Sequence, residues 1–206
     1  MIEFAEFCLL VLLGLLVVAV ILVSVFFIYS TVFSGFMKRS PFIITTGATY
    51  KVMIPEMIAK IEECEKKSDM KTPFNIIDAG CGIATLLLPL AKKFPQHNFV
   101  GVEIGIIPYL IAKIRAYGYK NLQILRQDLF TTDFGKFNFI ICFLLPKTMQ
   151  DLFNKCKKDI SDKTVFFVNR FKINDLQPSK KIDIGDNFSY IYIYDYLPEK
   201  KEIINK

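Results

Sequence analysis

The chain carries a single histidine, His97, and its five cysteines (Cys8, Cys64, Cys81, Cys142 and Cys156) include no Cys-x-x-Cys pair. A lone histidine among Pro95, Gln96 and Asn98 reads as a solvated turn residue. It leaves no basis for histidine-driven acid–base or metal catalysis, so no metal is expected. An odd number of widely spaced cysteines suits a reducing compartment and argues against a disulfide scaffold or structural zinc. Internal repeats and low-complexity tracts are also absent. The largest deficit is charge: no charged residue occurs from Phe7 to Met37, and no Lys or Arg precedes Lys38.

That uncharged stretch is where the apolar composition is concentrated. Over 206 residues the chain is 52% hydrophobic with a mean hydropathy of +0.36. Between Cys8 and Ile28 only Gly14 and Ser24 interrupt a run of Leu, Val, Ile, Ala and Phe. About 20 apolar residues suffice to cross the roughly 30 Å hydrocarbon core, so the run predicts a single transmembrane anchor. A secretory signal peptide would need a basic start, a shorter run and a small-residue cleavage site. Here the start is acidic (Glu3, Glu6) and no Ala-x-Ala follows. From Lys38 onward 26 basic residues face 18 acidic ones, a net charge of +8. The positive-inside rule places this part in the cytoplasm, at the bacterial inner membrane. The lack of an Arg-rich presequence favours that over the mitochondrial inner membrane. A basic domain at a membrane is drawn to anionic head groups, and with no recognition motif for nucleic acid, none is expected as a partner.

The chain divides into an anchor (1–37), a juxtamembrane linker with a first helix (38–73) and an α/β domain (74–206). In the second part, Ile54, Met57, Ile58, Ile61 and Cys64 fall at helical spacing, with Pro55 suited to the first turn. After Pro73, strands at 74–78, 98–103, 122–125, 137–143 and 164–169 alternate with helices at 83–94, 108–117 and 147–158. Pro89 must kink the first of these helices or shift its start. Such alternation implies βαβ units and a mainly parallel sheet, covered on both faces where the strands are continuously apolar. Two further strands, at 181–184 and 189–196, meet at Gly185-Asp186-Asn187. The second aligns Tyr190, Tyr192, Tyr194 and Tyr196 on one face and Ile191 and Ile193 on the other. The tyrosines could form a cationic cage or a lipid-facing belt. The favoured reading is plain packing beneath a helix.

The segment Ile77-Asp78-Ala79-Gly80-Cys81-Gly82 ends a strand and opens a helix. Its two glycines let the backbone turn sharply and approach a ligand closely. In a doubly wound sheet the first strand-to-helix turn is where nucleotide-like ligands bind. Glu103, ending the next strand, is placed to accept ribose hydroxyls, and Asp128, after the third, to meet an adenine edge. An acid two residues before Gly80 would repel a pyrophosphate but suits a ligand carrying an ammonium and a sulfonium, which points to S-adenosylmethionine. Cys81 flanks this loop as a small filler rather than a nucleophile.

With these residues in place the chain resembles the class I, seven-β-strand methyltransferases, which use S-adenosylmethionine on a Rossmann-like sheet. The resemblance covers 74 to about 196. By position it implies that Asp78, Gly80, Cys81 and Gly82 border the methionine part, Glu103 the ribose and Asp128 the adenine. A third loop glycine common in that family is replaced by Ala84. A narrower resemblance is to the membrane-anchored lysine methyltransferases of the ATP synthase c subunit. It rests on the single N-terminal span, the segment Pro41-Phe42-Ile43-Ile44-Thr45-Thr46, the turn Leu144-Leu145-Pro146-Lys147, and the ending Tyr194-Asp195. It implies a small membrane protein as partner, with a lysine side chain as methyl acceptor.

Many amide and adenine N-methyltransferases place Asn/Asp-Pro-Pro-aromatic after the fourth strand, whereas this chain has Phe143-Leu144-Leu145-Pro146 with no polar side chain. In a lysine enzyme the backbone around Leu145 and Pro146 would position the acceptor amine. The alternative is that Pro146 merely ends a strand. Thr45 and Thr46 would reach the ligand carboxylate if their segment folds over the site, or would cap a helix before Tyr50. Two other functions compete: lipid or quinone methylation at the membrane, and a non-catalytic membrane module retaining the fold.

Overall fold

The computed structural model describes residues 2–36, 47–67, 72–161, 163–174, 176–185 and 189–195. The chain divides into two compact units, Met1–Phe42 and Ile43–Lys206. The first contains one helix, α1 (Ile2–Phe36), whose apolar residues surround the axis without forming a stripe. Its segment Phe4–Tyr29 is long and apolar enough to cross a membrane, and none of its most apolar window is buried. At ~1.5 Å per residue these 26 residues span about 39 Å. The helix continues through Ser34 to Phe36.

In the second unit, α2 (Gly47–Lys67) is followed by β1 (Asn75–Ala79), α3 (Leu87–Lys93), β2 (Asn98–Glu103), α4 (Ile106–Arg115) and β3 (Leu122–Arg126). Two short 3-10 turns lead to β4 (Phe139–Cys142), α5 (Pro146–Cys156), β5 (Val165–Asn169), β6 (Lys180–Asp183) and β7 (Tyr190–Asp195). The seven strands form one sheet in the order β3-β2-β1-β4-β5-β7-β6. The pairs from β3 to β5 are parallel, and β7 runs antiparallel to both neighbours. The chain leaves β1 toward β2 on one side and returns through β4 on the other, so the topological switch point lies between β1 and β4.

Strand alternation sorts the core into two layers. On one face Ile76, Phe99, Ile141, Phe167 and Ile191 pack with Met53, Met57 and Ile61 of α2 and Leu87 and Leu90 of α3. On the other Ile77, Val102, Ile140, Phe166 and Tyr194 pack with Met149, Leu152 and Phe153 of α5. The tyrosine stripe is therefore core at Tyr194, whose hydroxyl accepts from the Ile173 amide at 2.9 Å. Tyr192 packs against the same layer, and Tyr190 lies under the Lys181 ammonium, 3.7 Å from its ring centroid. Tyr196 is outside the described residues.

Two local expectations need correction. Pro55 does not sit in the first turn of its helix: α2 begins eight residues earlier, at Gly47. An interior proline costs about 3 kcal/mol, but the buried face extends to both sides of it, with Thr49 and Met53 before and Met57 and Ile61 after. Burial of several large side chains outweighs one missing backbone bond. His97 is not solvated. It is buried, its Nδ1 accepts from the Phe74 amide at 3.2 Å, and its ring packs on Phe74 and Phe94. Nε2 lies 3.1 Å from Glu65 Oε1 of α2, close enough to attract but outside hydrogen-bond alignment. Burial holds the imidazole below its ordinary pKa, against the upward pull of Glu65. The histidine thus fastens the C-terminal end of α2 to the start of β1.

Candidate active site

The turn after β1 sits at the switch point. Gly80 and Gly82 adopt φ of +86° and +55°, and Ala84 follows at +60°. The alanine that replaces the third glycine therefore holds the left-handed conformation a glycine would take freely, at a cost of roughly 1 kcal/mol. The turn is held by the Gly80 and Cys81 amides, which both donate to the Val102 carbonyl, at 2.9 and 3.0 Å. Pro89 lies in the first turn of α3, which starts at Leu87 rather than at 83. The residues between form turns, with Gly80 exposed and Gly82 buried.

Glu103 closes the arrangement from the neighbouring strand. Its Oε2 accepts from the Gly82 amide at 3.0 Å and its Oε1 from the Gly105 amide at 2.7 Å. Sequence spacing placed this acid at the end of β2. The structure adds that it ties the glycine turn to the N-terminus of α4. Burial raises its pKa, while the amides of Gly105, Gly82 and Ile104 oppose the rise. Asp78 is 5% exposed, and burial first, then the charge on Glu103, pushes its carboxyl up to about 7. No cation contributes to either shift. A buried and a half-buried acid lacking a countercharge among the described residues are an electrostatic fit for a cationic ligand.

The remaining expected residues are distributed as follows. Cys81 is buried, its thiol pushed well up by burial and by the nearby Asp78 and Glu103, which suits a filler and not a nucleophile. Asp128 follows β3, and its Oδ1 accepts from the Phe130 amide at 3.0 Å, capping a 3-10 turn. Thr45 and Thr46 fall outside the described residues. Leu145 is the residue before α5, and its carbonyl accepts from the Met149 amide at 2.8 Å. Pro146 opens α5 at a position that needs no N–H.

Sequence reasoning passed over Asn169, the last residue of β5. It is 2% exposed, and its Oδ1 meets no hydrogen-bond partner among the described residues. Phe167, two residues earlier, packs on the α2 layer, so Asn169 faces the side of the sheet that Asp78 and Glu103 face. The registers of β1 with β4 and of β4 with β5 bring Asn169 level with Gly80, two strand spacings or about 10 Å away. The available signal was a polar residue ending the otherwise apolar strand Val165-Phe166-Phe167-Val168.

The ANTKMT methyltransferase domain matches residues 78–180, half of the chain. Protein RP789 of Rickettsia prowazekii (strain Madrid E) is 30% identical over 103 residues, 46% of this chain. The chain spans about a fifth (19%) of that relative's length. Among solved structures, an RNA methyltransferase from Salinibacter ruber in complex with S-adenosyl-L-homocysteine superposes with a TM-score of 0.63 at 18% identity, over 80% of this chain and 100% of that one. The magnesium protoporphyrin IX methyltransferase of Synechocystis PCC 6803 gives 0.54 at 15% identity, over 74% and 84% of the two chains. At these identities the superpositions establish the fold, and the family match places the domain among methyltransferases. The chain belongs to the ANTKMT methyltransferase domain family and has the class I methyltransferase fold.

Proposed function

We propose that this protein is a membrane-anchored protein-lysine N-methyltransferase acting on a small integral membrane protein such as an ATP synthase c subunit. The observation that supports an amine acceptor is Asn169. A buried amide oxygen without a partner among the described residues is costly unless a ligand supplies a donor, and an amine N–H is such a donor. The neighbouring turn Phe143-Leu144-Leu145-Pro146 offers no side chain that could act as a base for a hydroxyl. The apolar run of α1 supports a substrate found in the membrane.

When bound, S-adenosylmethionine supplies an electrophilic methyl group on a positively charged sulfur. In this reading the turn at Gly80, Cys81 and Gly82 admits the ligand's methionine part, Asp78 faces its positive charge, and Glu103 accepts its ribose hydroxyls. Asp128 receives the adenine amino group, and Thr45 and Thr46 hold the ligand carboxylate. Removal of the substrate ε-ammonium from water on binding would lower its pKa, so that it releases its proton to water before its lone pair attacks. Asn169 Oδ1 accepts an N–H of the neutral amine and orients that lone pair, so the protein contributes mainly positioning.

The test supplies the purified full chain with methyl-labelled S-adenosylmethionine and membranes from cells lacking its gene. Label is expected in a lysine of a small membrane protein. Asn169→Ala should lower kcat about tenfold, the worth of one hydrogen bond, with cofactor affinity unchanged. Glu103→Ala and Gly80→Val should instead weaken cofactor binding by at least about tenfold in calorimetry. Label confined to the organic extract would assign a lipid or quinone substrate, and failure of the wild type to bind the cofactor would remove both enzyme readings.

A further inference from the structure

Helix α4 is built inside out. Toward the sheet it turns Pro108, Ala112 and, just past its end, Ala116, with Tyr109 packed against the same layer. Its aliphatic side chains are left exposed: Ile106, Ile107, Leu110, Ile111, Ile114 (75% exposed), joined past its end by Tyr117 (91% exposed). At 100° per residue these six cover an arc of roughly 140°, bordered by Lys113 on one edge and Arg115 on the other. From Ile104 to Gln127 the chain holds Lys113, Arg115, Lys120 and Arg126 and no acid.

We propose that α4 lies in the surface of an anionic lipid bilayer, with the isoleucine and leucine side chains below the head groups and the flanking cations among them. A continuous apolar arc edged by Lys and Arg is the pattern of helices that lie in a membrane interface. The dimensions favour lipid over protein. A ten-residue helix is only about 15 Å long, too small alone for the roughly 800 Å² per partner of a stable protein interface. A fluid bilayer needs no matching surface. The Arg115 guanidinium also donates to the Ile83 carbonyl at 2.6 Å, and Glu103 binds the Gly105 amide at the start of the helix. The docked helix is thus tied at both ends to the cofactor turn, so the bilayer would support the site directly. The proposal rests on the membrane anchorage proposed above for the nearness of lipid, and not on the identity of the substrate.

The chain has no tryptophan, so Tyr117→Trp creates a single fluorescent reporter at an exposed position. The full chain carrying it is reconstituted into phosphatidylcholine vesicles containing phosphatidylglycerol, with and without brominated acyl chains. Bromine is expected to quench the emission by about half, as for a ring 5–10 Å deep in the interface. Adding Leu110→Glu and Ile114→Glu should abolish the quenching with no loss of thermal stability. Unquenched emission, or quenching that survives the two glutamates, overturns the proposal. So does blue-shifted emission insensitive to bromine, which would assign the face to protein. Flotation of the same vesicles separates the two readings: a chain that floats without quenching leaves the anchorage standing and removes only the docking of α4.

Discussion

Burial holds the Asp78 carboxyl at about 7, with Glu103 adding to the shift, so near neutral pH the ligand-free chain carries an acid divided between its two forms. The unfolded chain loses this proton near 3.8. Between about pH 4 and pH 7 the folded chain therefore binds more protons, and stability must fall as pH rises through that window. The difference is on the order of 4 kcal/mol. Glu103, also raised, acts in the same direction. His97, lowered by burial, acts oppositely: its contribution is lost as pH falls below about 6.5. Thermal unfolding of the full chain in detergent should give a falling Tm from pH 5 to 7.5, flattened by Asp78→Asn. A cationic ligand reverses the preference and selects the carboxylate. Cofactor affinity by calorimetry should therefore weaken up to about tenfold per unit as pH drops below about 7, and an unchanged affinity from pH 5 to 7 would remove Asp78 from the ligand's charge. The acid's place before the glycines was legible in sequence. Its pKa was not, because that depends on desolvation and on a second carboxylate brought from β2.

Packing at the scale of elements is clearest where the glycine turn and α3 close on β2. A Cβ at Gly101 would stand 2.7 Å from Cys81 Sγ, 2.9 Å from Ile124 Cδ1 and 3.0 Å from Leu87 Cδ1. Gly101→Ala should cost about 2 kcal/mol by overpacking. Cys81→Ala in the same chain should recover about 1 kcal/mol of it in a double-mutant cycle of denaturant unfolding. Strict additivity would mean the turn does not rest on β2. The strand at 98–103 was readable to the residue, because its apolar alternation ends at a turn on each side. The helix expected at 83–94 was not. Three positive φ angles in the turn and a proline at 89 delay α3 to Leu87. The extra length of α2 was hidden because Pro55 resembles a start signal, and only the buried contacts of Thr49 and Met53 show that the helix continues before it.

For the whole molecule, the proposed anchorage gives a prediction independent of the chemistry. The chain should remain in the membrane fraction after alkaline carbonate extraction, because α1 presents apolar side chains all round and no charge from Phe7 onward. Protease added outside spheroplasts should leave the catalytic domain intact, as the cations from Lys38 onward require. Digestion from outside would reverse the orientation.

The sequence by itself determined the candidate span, the alternation of strands and helices, and the acids flanking the glycine turn. These are local properties of composition, period and spacing, and each is readable within a few residues. Tertiary structure alone decided that His97 is buried under α2, that Glu103 ties the turn to α4, that the Leu145 carbonyl is engaged in α5, and that Asn169, level with Gly80, has a buried amide oxygen with no partner among the described residues. Each depends on register and burial between elements far apart in the chain, and hydrophobic periodicity specifies the buried face of a helix but not what meets it. The outward face of α4 joins both levels. Its apolar period is plain in the sequence, yet only the packing of Pro108 and Ala112 against the sheet shows that the isoleucine and leucine side chains are the ones left outside.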